Sequence, residues 1–403
     1  MPNYSGVWSL PTQMQAIADQ NWPMGPGAPT AVSASAGEAE ATITFTAPSF
    51  TGVPPGITGY LATSIPGGIT TTGAASPLTV TGLTNGTAYS FNVQATNSVQ
   101  YGPAGTSGSV TPAAAIAIFS SLDPAANGTY PQIESVNIAT TGNSTYWGDL
   151  TQGRNGAGSC SSSTRGVVIG GNTSPNNTMD YITFSSSGNA VDFGDLSNGA
   201  NGISAAGNST RGIITRIDDV FYITIASTGN STNFGNWSAG RTTAGMTASS
   251  TRAVVAGGDS GGNGTMQYVT IATTGSIATF GNISGMQRQP GNGNVSNGVR
   301  GAWMGFYGYN GIPASNNVIY YITIASTGNA VDFGDLTTNS YGGAQSSSMT
   351  RAVLGGGASS TGATNIIQYI TLATTGNATD FGDLSTSESN STTGMSNAHG
   401  GLS

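Results

Sequence analysis

Lysine is absent from this chain; all nine basic residues are arginines, set against 17 acidic ones for a formal charge of -8. Only 6% of residues are charged, so the basic stripe a nucleic-acid surface needs is missing and no such partner is expected. One cysteine, Cys160, and one histidine, His399, are present. A lone thiol forms no internal disulfide, and one His with one Cys cannot complete an ordinary zinc site, so neither metal nor cofactor is expected. The most apolar stretch, Ala113 to Phe119, is far shorter than the roughly 20 residues of a membrane-spanning helix. The opening MPNYSGVWSL lacks the basic and apolar regions of an export signal, and no membrane insertion is expected.

Glycine, by contrast, occurs 62 times in 403 residues, and with abundant Ser, Thr and Asn that composition alone points to disorder. A repeat overrides it. The stretch YITIASTGNAVDFGDL, Tyr321 to Leu336, has five companions, beginning at Ile133, Met179, Val220, Met266 and Ile367. Each alternates apolar residues with Thr or Ser, turns near a glycine, and most close on aromatic-Gly-Asp-Leu, the grammar of a β-hairpin. The turn glycines Gly142, Gly188, Gly229, Gly275, Gly328 and Gly376 are spaced 46, 41, 46, 53 and 48 apart, periods that point to propeller blades. Between hairpins lie a small-residue strand such as Ala244 to Ser250 and an apolar strand such as TRAVVAGG from Thr251. Four strands per repeat fit a blade, with small residues innermost.

Three regions are expected. Residues 1–26 form an arm in which Ser9 caps a helix over Leu10 to Gln20, ended by Asn21 to Pro23. Its apolar residues Trp8, Met14, Ile17 and Trp22 cannot make a core alone and are expected to bury against a partner or the next domain; a leader packed on its own chain is the alternative. Residues 27–112 change to short alternating runs with turns about every ten positions, the pattern of a small antiparallel sandwich. Residues 113–403 hold the repeats. AAIAIFSS from Ala114 aligns with the apolar second strand, Ala115 replacing the Arg, so the first repeat lacks strand one. The final STTGMSNAHGGLS supplies a lone strand one, expected to complete it and leave six blades without open ends.

Alternation along each blade places connections one-to-two and three-to-four at one end, where they hardly vary. Connections two-to-three and four-to-one lie at the other end and differ in length and chemistry, as binding loops do. There the fourth-to-fifth region WMGFYGYNGIPASNN brings Trp303, Phe306, Tyr307 and Tyr309, with Arg288 in the preceding loop, Arg241 in SAGRTT and Arg154 in TQGRN. Aromatic faces beside Arg and amides suit a sugar ligand, a host surface glycan in the reading below; channel packing or contact with a sister subunit is the alternative. Arg165, Arg211, Arg252, Arg300 and Arg351 recur, as do Asp149, Asp195, Asp335 and Asp383, with Asn236 and Asn282 in the same position. They are expected to make charge-assisted hydrogen bonds within or between blades, a ligand-binding ring being the alternative. Enzymatic sites are not expected: glutamates in the repeats are limited to Glu134 and Glu388, His399 is terminal, and Asp218 with Asp219 forms a turn. The Asn143, Asn208 and Asn230 sequons fall in turns.

Three resemblances accompany these readings. GLTNGTAYSFNVQATNSVQYGPAG, from Gly82, resembles the second half of a fibronectin type III domain, with Tyr89 in the place of its corner tyrosine and Phe45 where that family has Trp. The strand order of residues 113–403 resembles the kelch repeat, implying an all-β fold with a six-bladed propeller. YSGVWSLPTQMQAIADQNWP and the TIASTGNAxDFGDL arrays resemble virion structural proteins of marine and cyanobacterial tailed phages. This last likeness implies a virion location, docking on other virion proteins through the arm, a homo-oligomer, and a tail-fibre or host-attachment role. A head decoration or tail accessory protein without receptor binding, and a glycan depolymerase, are the alternatives.

Overall fold

Strict alternation of buried and open positions builds the strands before Ala114: Ser90–Thr96 and Gly59–Ile65 each send every second side chain inward. The computed structural model describes the chain apart from residues 1–9, 12–13, 16–23, 54–55, 121, 123–129, 200, 242, 259–263, 276, 289–291, 309–315, 360–361, 389–391 and 403, and describes only the backbone at 239, 287, 288 and 388. It is all-β and divides into two units, Met1–Ala114 and Ala115–Ser403. Leu10, Pro11, Met14 and Gln15 have helical backbone; the remainder of the expected helix, with Trp8, Ile17 and Trp22, lies outside the described residues.

The first unit holds β1 (Thr30–Ala36), β2 (Glu40–Thr46), β3 (Gly59–Ile65), β4 (Thr70–Gly73), β5 (Leu78–Thr81), β6 (Ser90–Thr96) and β7 (Tyr101–Thr106). They pair as β1-β2-β5 and β4-β3-β6-β7. The core between them contains Ile43, Tyr60, Val80, Phe91 and Val93, and full burial of such side chains stabilises by about 1.5–3 kcal/mol each. Tyr89 is buried, and its hydroxyl accepts the Thr84 amide at 3.1 Å, tying the entry of β6 to the turn before it. Phe45 is half-buried and packs on Tyr60 at 4.7 Å.

The second unit consists of six antiparallel strand groups, called sheets below, with four short added strands, one of which, Asn292–Gly293, pairs in parallel with the first and the sixth and joins them into a single ten-stranded sheet. The first contains β8 (Ile116–Ser120), β9 (Gln132–Asn137) and β10 (Thr145–Asp149); the second β11 (Gly158–Ser161), β12 (Arg165–Ile169), β13 (Thr178–Thr183) and β14 (Val191–Asp195). The third has β15 (Ser204–Gly207), β16 (Arg211–Thr224) and β17 (Thr232–Arg241), β16 running through two strand positions with Ile217 at φ 51°. The fourth is β18 (Gly245–Ala248), β19 (Arg252–Ala256), β20 (Thr265–Thr270) and β21 (Ile277–Asn282). Added strands β22 (Met286–Arg288), β23 (Asn292–Gly293) and β25 (Tyr307–Gly308) flank the fifth sheet, β24 (Arg300–Met304), β26 (Asn316–Thr323) and β27 (Val331–Ser340). The sixth is β28 (Ala344–Ser347), β29 (Arg351–Gly355), β31 (Gly362–Thr371) and β32 (Thr379–Glu388), with β30 (Ala358–Ser359) beside β31. The last strand, β33 (Thr393–Ser396), pairs with β8 from Thr393↔Ser120 to Ser396↔Ala117 and gives the first sheet its fourth strand.

The strands that begin the sheets, GSCS, SAAG, GMTA, AQSS and TGMS, are buried throughout. Their small side chains let the backbones approach closely. Between them the longest connection, after the fourth sheet, sends in Asn292, whose backbone pairs in parallel with β28 and β33. Its Nδ2 donates to the Ala157 and Ile203 carbonyls at 2.6 and 3.0 Å. The chain end adds His399, buried, with Nδ1 accepting from the Gly401 amide at 3.1 Å and from Asn294 at 2.9 Å. Nε2 therefore carries the proton and donates to the Ser161 carbonyl at 3.0 Å. Burial holds this imidazole down at about 4, so it is neutral at pH 7.

The recurring arginines and aspartates do not pair with one another as expected. The guanidinium of Arg252 lies 4.1 Å over the Tyr268 ring and donates to the Ile324 and Ala325 carbonyls of the next sheet at 2.9 and 3.0 Å. Arg165, Arg211 and Arg300 grip Ile225 and Ala226, Ile271 and Ala272, and Leu372 and Ala373 in the same way. Arg351 reaches Ile138 and Ala139 of the first sheet, so the series returns to its start. Carbonyls win because the arginine begins strand two at the very end where the neighbouring strand three stops. The aspartates instead donate through their backbone: the amides of Asp149, Asp195, Asp335 and Asp383, and of Asn282, reach Asn Oδ1 atoms of the next turn at 2.9 to 3.1 Å.

Candidate functional site

Opposite the arginine grips, the connections two-to-three and four-to-one do not repeat. The two longest meet: β22 pairs antiparallel with β25, setting Arg288 against Tyr307. Tyr307 is half-buried and stands edge-on to Tyr341, ring centres 5.5 Å apart at 87°. Tyr341 is fixed by reciprocal backbone bonds with Ala358 at 3.0 and 2.9 Å. This tyrosine pair is one aromatic surface at the variable end; among the described residues Tyr130, 48% exposed in the connection from β8 to β9, is another. Tyr341 was not singled out from the sequence; its one signal is an aromatic residue alone among Thr, Asn, Ser and Gly. Tyr309 lies outside the described residues, as does the side chain of Arg288.

Four of the expected ligand contacts are placed elsewhere. Trp303 and Phe306 are both 1% exposed and belong to the apolar cluster of Val254, Met266, Phe280 and Ile322. Phe306 also stacks on Tyr320 at 5.7 Å. Trp303 on β24 and Phe306 just beyond it are buried in the same cluster, so neither ring is offered to a ligand. Arg154 is fully buried and pairs with buried Asp180 at 2.7 Å. Burial lowers its pKa, and the carboxylate opposes that shift. Arg241, 2% exposed, donates to the Thr265 carbonyl at 2.9 Å, to Thr265 Oγ1 at 3.1 Å and to Gln267 at 3.2 Å. Without a carboxylate beside it, burial brings Arg241 to about 10. Both arginines are spent on their own protein. Of the expected docking residues only Met14 is described, and it is 63% exposed.

One repeat position escaped the sequence reading, the third-strand residue before the Tyr. Here Glu134, Asp180, Gln267 and Gln368 are buried and catch hydroxyls or amides in or just after the preceding sheet's edge strand. Thr151 binds Asp180 at 2.7 Å, Ser238 accepts from Gln267 at 2.7 Å, the Thr337 amide reaches Gln368 at 2.6 Å and the Ser385 amide reaches Glu134 at 3.1 Å. The signal was a polar residue recurring inside an otherwise apolar strand.

Among the described residues this end offers stacking and neutral hydrogen bonding. Asp219 is held by Arg216 at 3.0 Å and by Asn236 at 3.1 Å, and among the described residues no three His, Cys, Asp or Glu side chains gather as a metal site would require. Burial pushes the Cys160 thiol up to about 12, far from a reactive thiolate. A depression of about 200 Å³ lies at the opposite end, lined by Tyr222, Thr228, Asn230 and neighbours, away from the tyrosine pair. No family model matches the sequence, and no curated protein matches it.

Proposed function

We propose that this protein is a host-attachment appendage of a tailed-phage particle, of the tail-fibre kind, with a fibronectin type III-like spacer and a six-bladed kelch-like propeller. The pairing β1-β2-β5 against β4-β3-β6-β7 and the Tyr89 bond support the first assignment. Six sheets of repeated strand order, with the last strand completing the first sheet and Arg351 returning to it, support the second. The observation that carries the functional reading is the difference between the ends. One is held by the same grips in sheet after sheet; the other bears dissimilar connections around Tyr307 and Tyr341.

Fragments of antibody raised against the β22 and β25 connections test this reading on intact particles. Labelling at the tail tip together with blocked adsorption is the expected result. Labelling on the head, with adsorption unaffected, would instead establish a second reading, a decoration protein without receptor binding. The burial of Arg154, Arg241, Trp303 and Phe306 favours that second reading, because it removes four contacts from the outward surface. Nothing in the geometry of the described residues favours an enzyme.

A further inference from the structure

Five of the six sheets repeat one device at the constant end. The arginine that opens strand two lies over the tyrosine of strand three. It then donates to two successive carbonyls where strand three of the next sheet stops. The first sheet lacks the donating half. Its pairs Ile116↔Asn137 and Ile118↔Ser135 take the register of Arg165↔Thr183 and Val167↔Tyr181 in the second. Ile116 therefore stands in the place of the arginine, one residue on from the Ala115 expected from the sequence, and Ser135 stands in the place of the tyrosine.

The accepting half is nevertheless built. In the second sheet Phe184 and Ser185 occupy the positions that Ile225 and Ala226 hold in the third. The Phe184 amide donates to the Thr164 carbonyl at 3.0 Å, as the Ile225 amide does to Thr210 at 2.9 Å. Each of the other five carbonyl pairs holds a guanidinium, whereas those of Phe184 and Ser185 accept no hydrogen bond from the described residues. Ser185 is exposed and Ile116 half-buried, so the pair lies at the surface.

We propose that the Phe184 and Ser185 carbonyls receive an arginine side chain of a partner protein, docked at the constant end between the first and second sheets. The five filled copies in the same molecule identify the occupant's chemistry: a cationic nitrogen that donates to both carbonyls at once. This chain has no such group to spare among its described side chains. Five arginines make the grips, and Arg154, Arg216 and Arg241 are held by Asp180, Asp219 and Gln267. The inference is independent of the virion reading and concerns the end opposite the tyrosine pair.

Backbone amide NMR of the full chain, titrated with the peptide acetyl-Gly-Arg-Gly-amide to about 20 mM, tests it. The Ser185 and Ser186 amides should shift, while Ala226 and Ser227, beside a filled pair, should stay still. The same peptide carrying citrulline, which has the shape of arginine without its charge, should bind about tenfold more weakly or worse. Ile116→Arg combined with Ser135→Tyr rebuilds the device from within; it should abolish the shifts and raise Tm. The wild-type comparison of the two peptides decides the matter alone if that double variant does not fold. No shift at Ser185 and Ser186, an equal response to both peptides, or undiminished binding by the folded double variant overturns the proposal.

Discussion

The two ends of the second unit hold their sheets together by different means. At the constant end, five arginines repeat one grip on the next sheet and five asparagines repeat one clip. Among the described side chains of the variable end, two interfaces contain a buried arginine, and they are two where the constant-end set is incomplete. Between the first and second sheets Ile116 replaces the gripping arginine, and Arg154 binds Asp180 behind it. Between the third and fourth sheets Ser276 replaces the clip, and Arg241 spans Thr265 and Gln267. Loops that vary in sequence are therefore not all recognition loops; some vary because they replace a missing joint.

That comparison breaks most directly at Arg154. Arg154→Ala leaves Asp180 buried without its counter-charge and should cost about 3–5 kcal/mol in urea unfolding, while replacing both by apolar residues of similar volume should cost far less. An unchanged unfolding midpoint would return Arg154 to the pool of free surface cations. Next in size is the plug at the centre of the constant end. His399 has its pKa lowered to about 4 in the fold, against about 6.5 unfolded. Protons then bind the unfolded chain preferentially, so its contribution is complete above pH 6.5 and is lost as pH falls toward 4, by up to about 3 kcal/mol. The pH dependence of unfolding in His399→Gln should be flatter over that window; parallel curves would remove the assignment.

Smaller effects separate the two constant-end devices. Arg252→Ala removes two hydrogen bonds and the contact with the Tyr268 ring, and should lower stability by about 1–2 kcal/mol, read as a drop in Tm. The same substitution by Lys should recover only part, since an ammonium cannot reproduce the planar grip. Asn329→Ser, which makes the turn of the fifth sheet resemble that of the fourth, should cost about 1 kcal/mol or less. If it cost as much as Arg154→Ala, the ranking of the two ends would be reversed.

Much of the all-β architecture was legible because periodicity is local. The alternation in SFNVQAT, the turn glycines, and the small-residue strands each follow from neighbours along the chain. The pairing of the final segment, seen from Thr393 to Ser396, with the stretch from Ala117 to Ser120 was legible too, since a missing strand and a spare strand in a repeat point to each other. The candidate site was legible only in part. Tyr307 beside Arg288 could be inferred from two adjacent long loops, but Trp303, Phe306, Arg154 and Arg241 look identical in sequence whether they face solvent or a neighbouring sheet. Burial depends on what the next sheet presents, and Asp180 and Gln267 lie 26 residues along from the arginines they hold.

By itself the order of residues determined strand class, turn positions, repeat count and which end varies, because each depends on backbone preferences and side-chain alternation within a few residues. Only the tertiary structure decided which polar side chains became joints and which stayed outward. Hydrogen-bond partners for a desolvated arginine come from whichever sheet packs against it, and that neighbour is chosen by the whole fold.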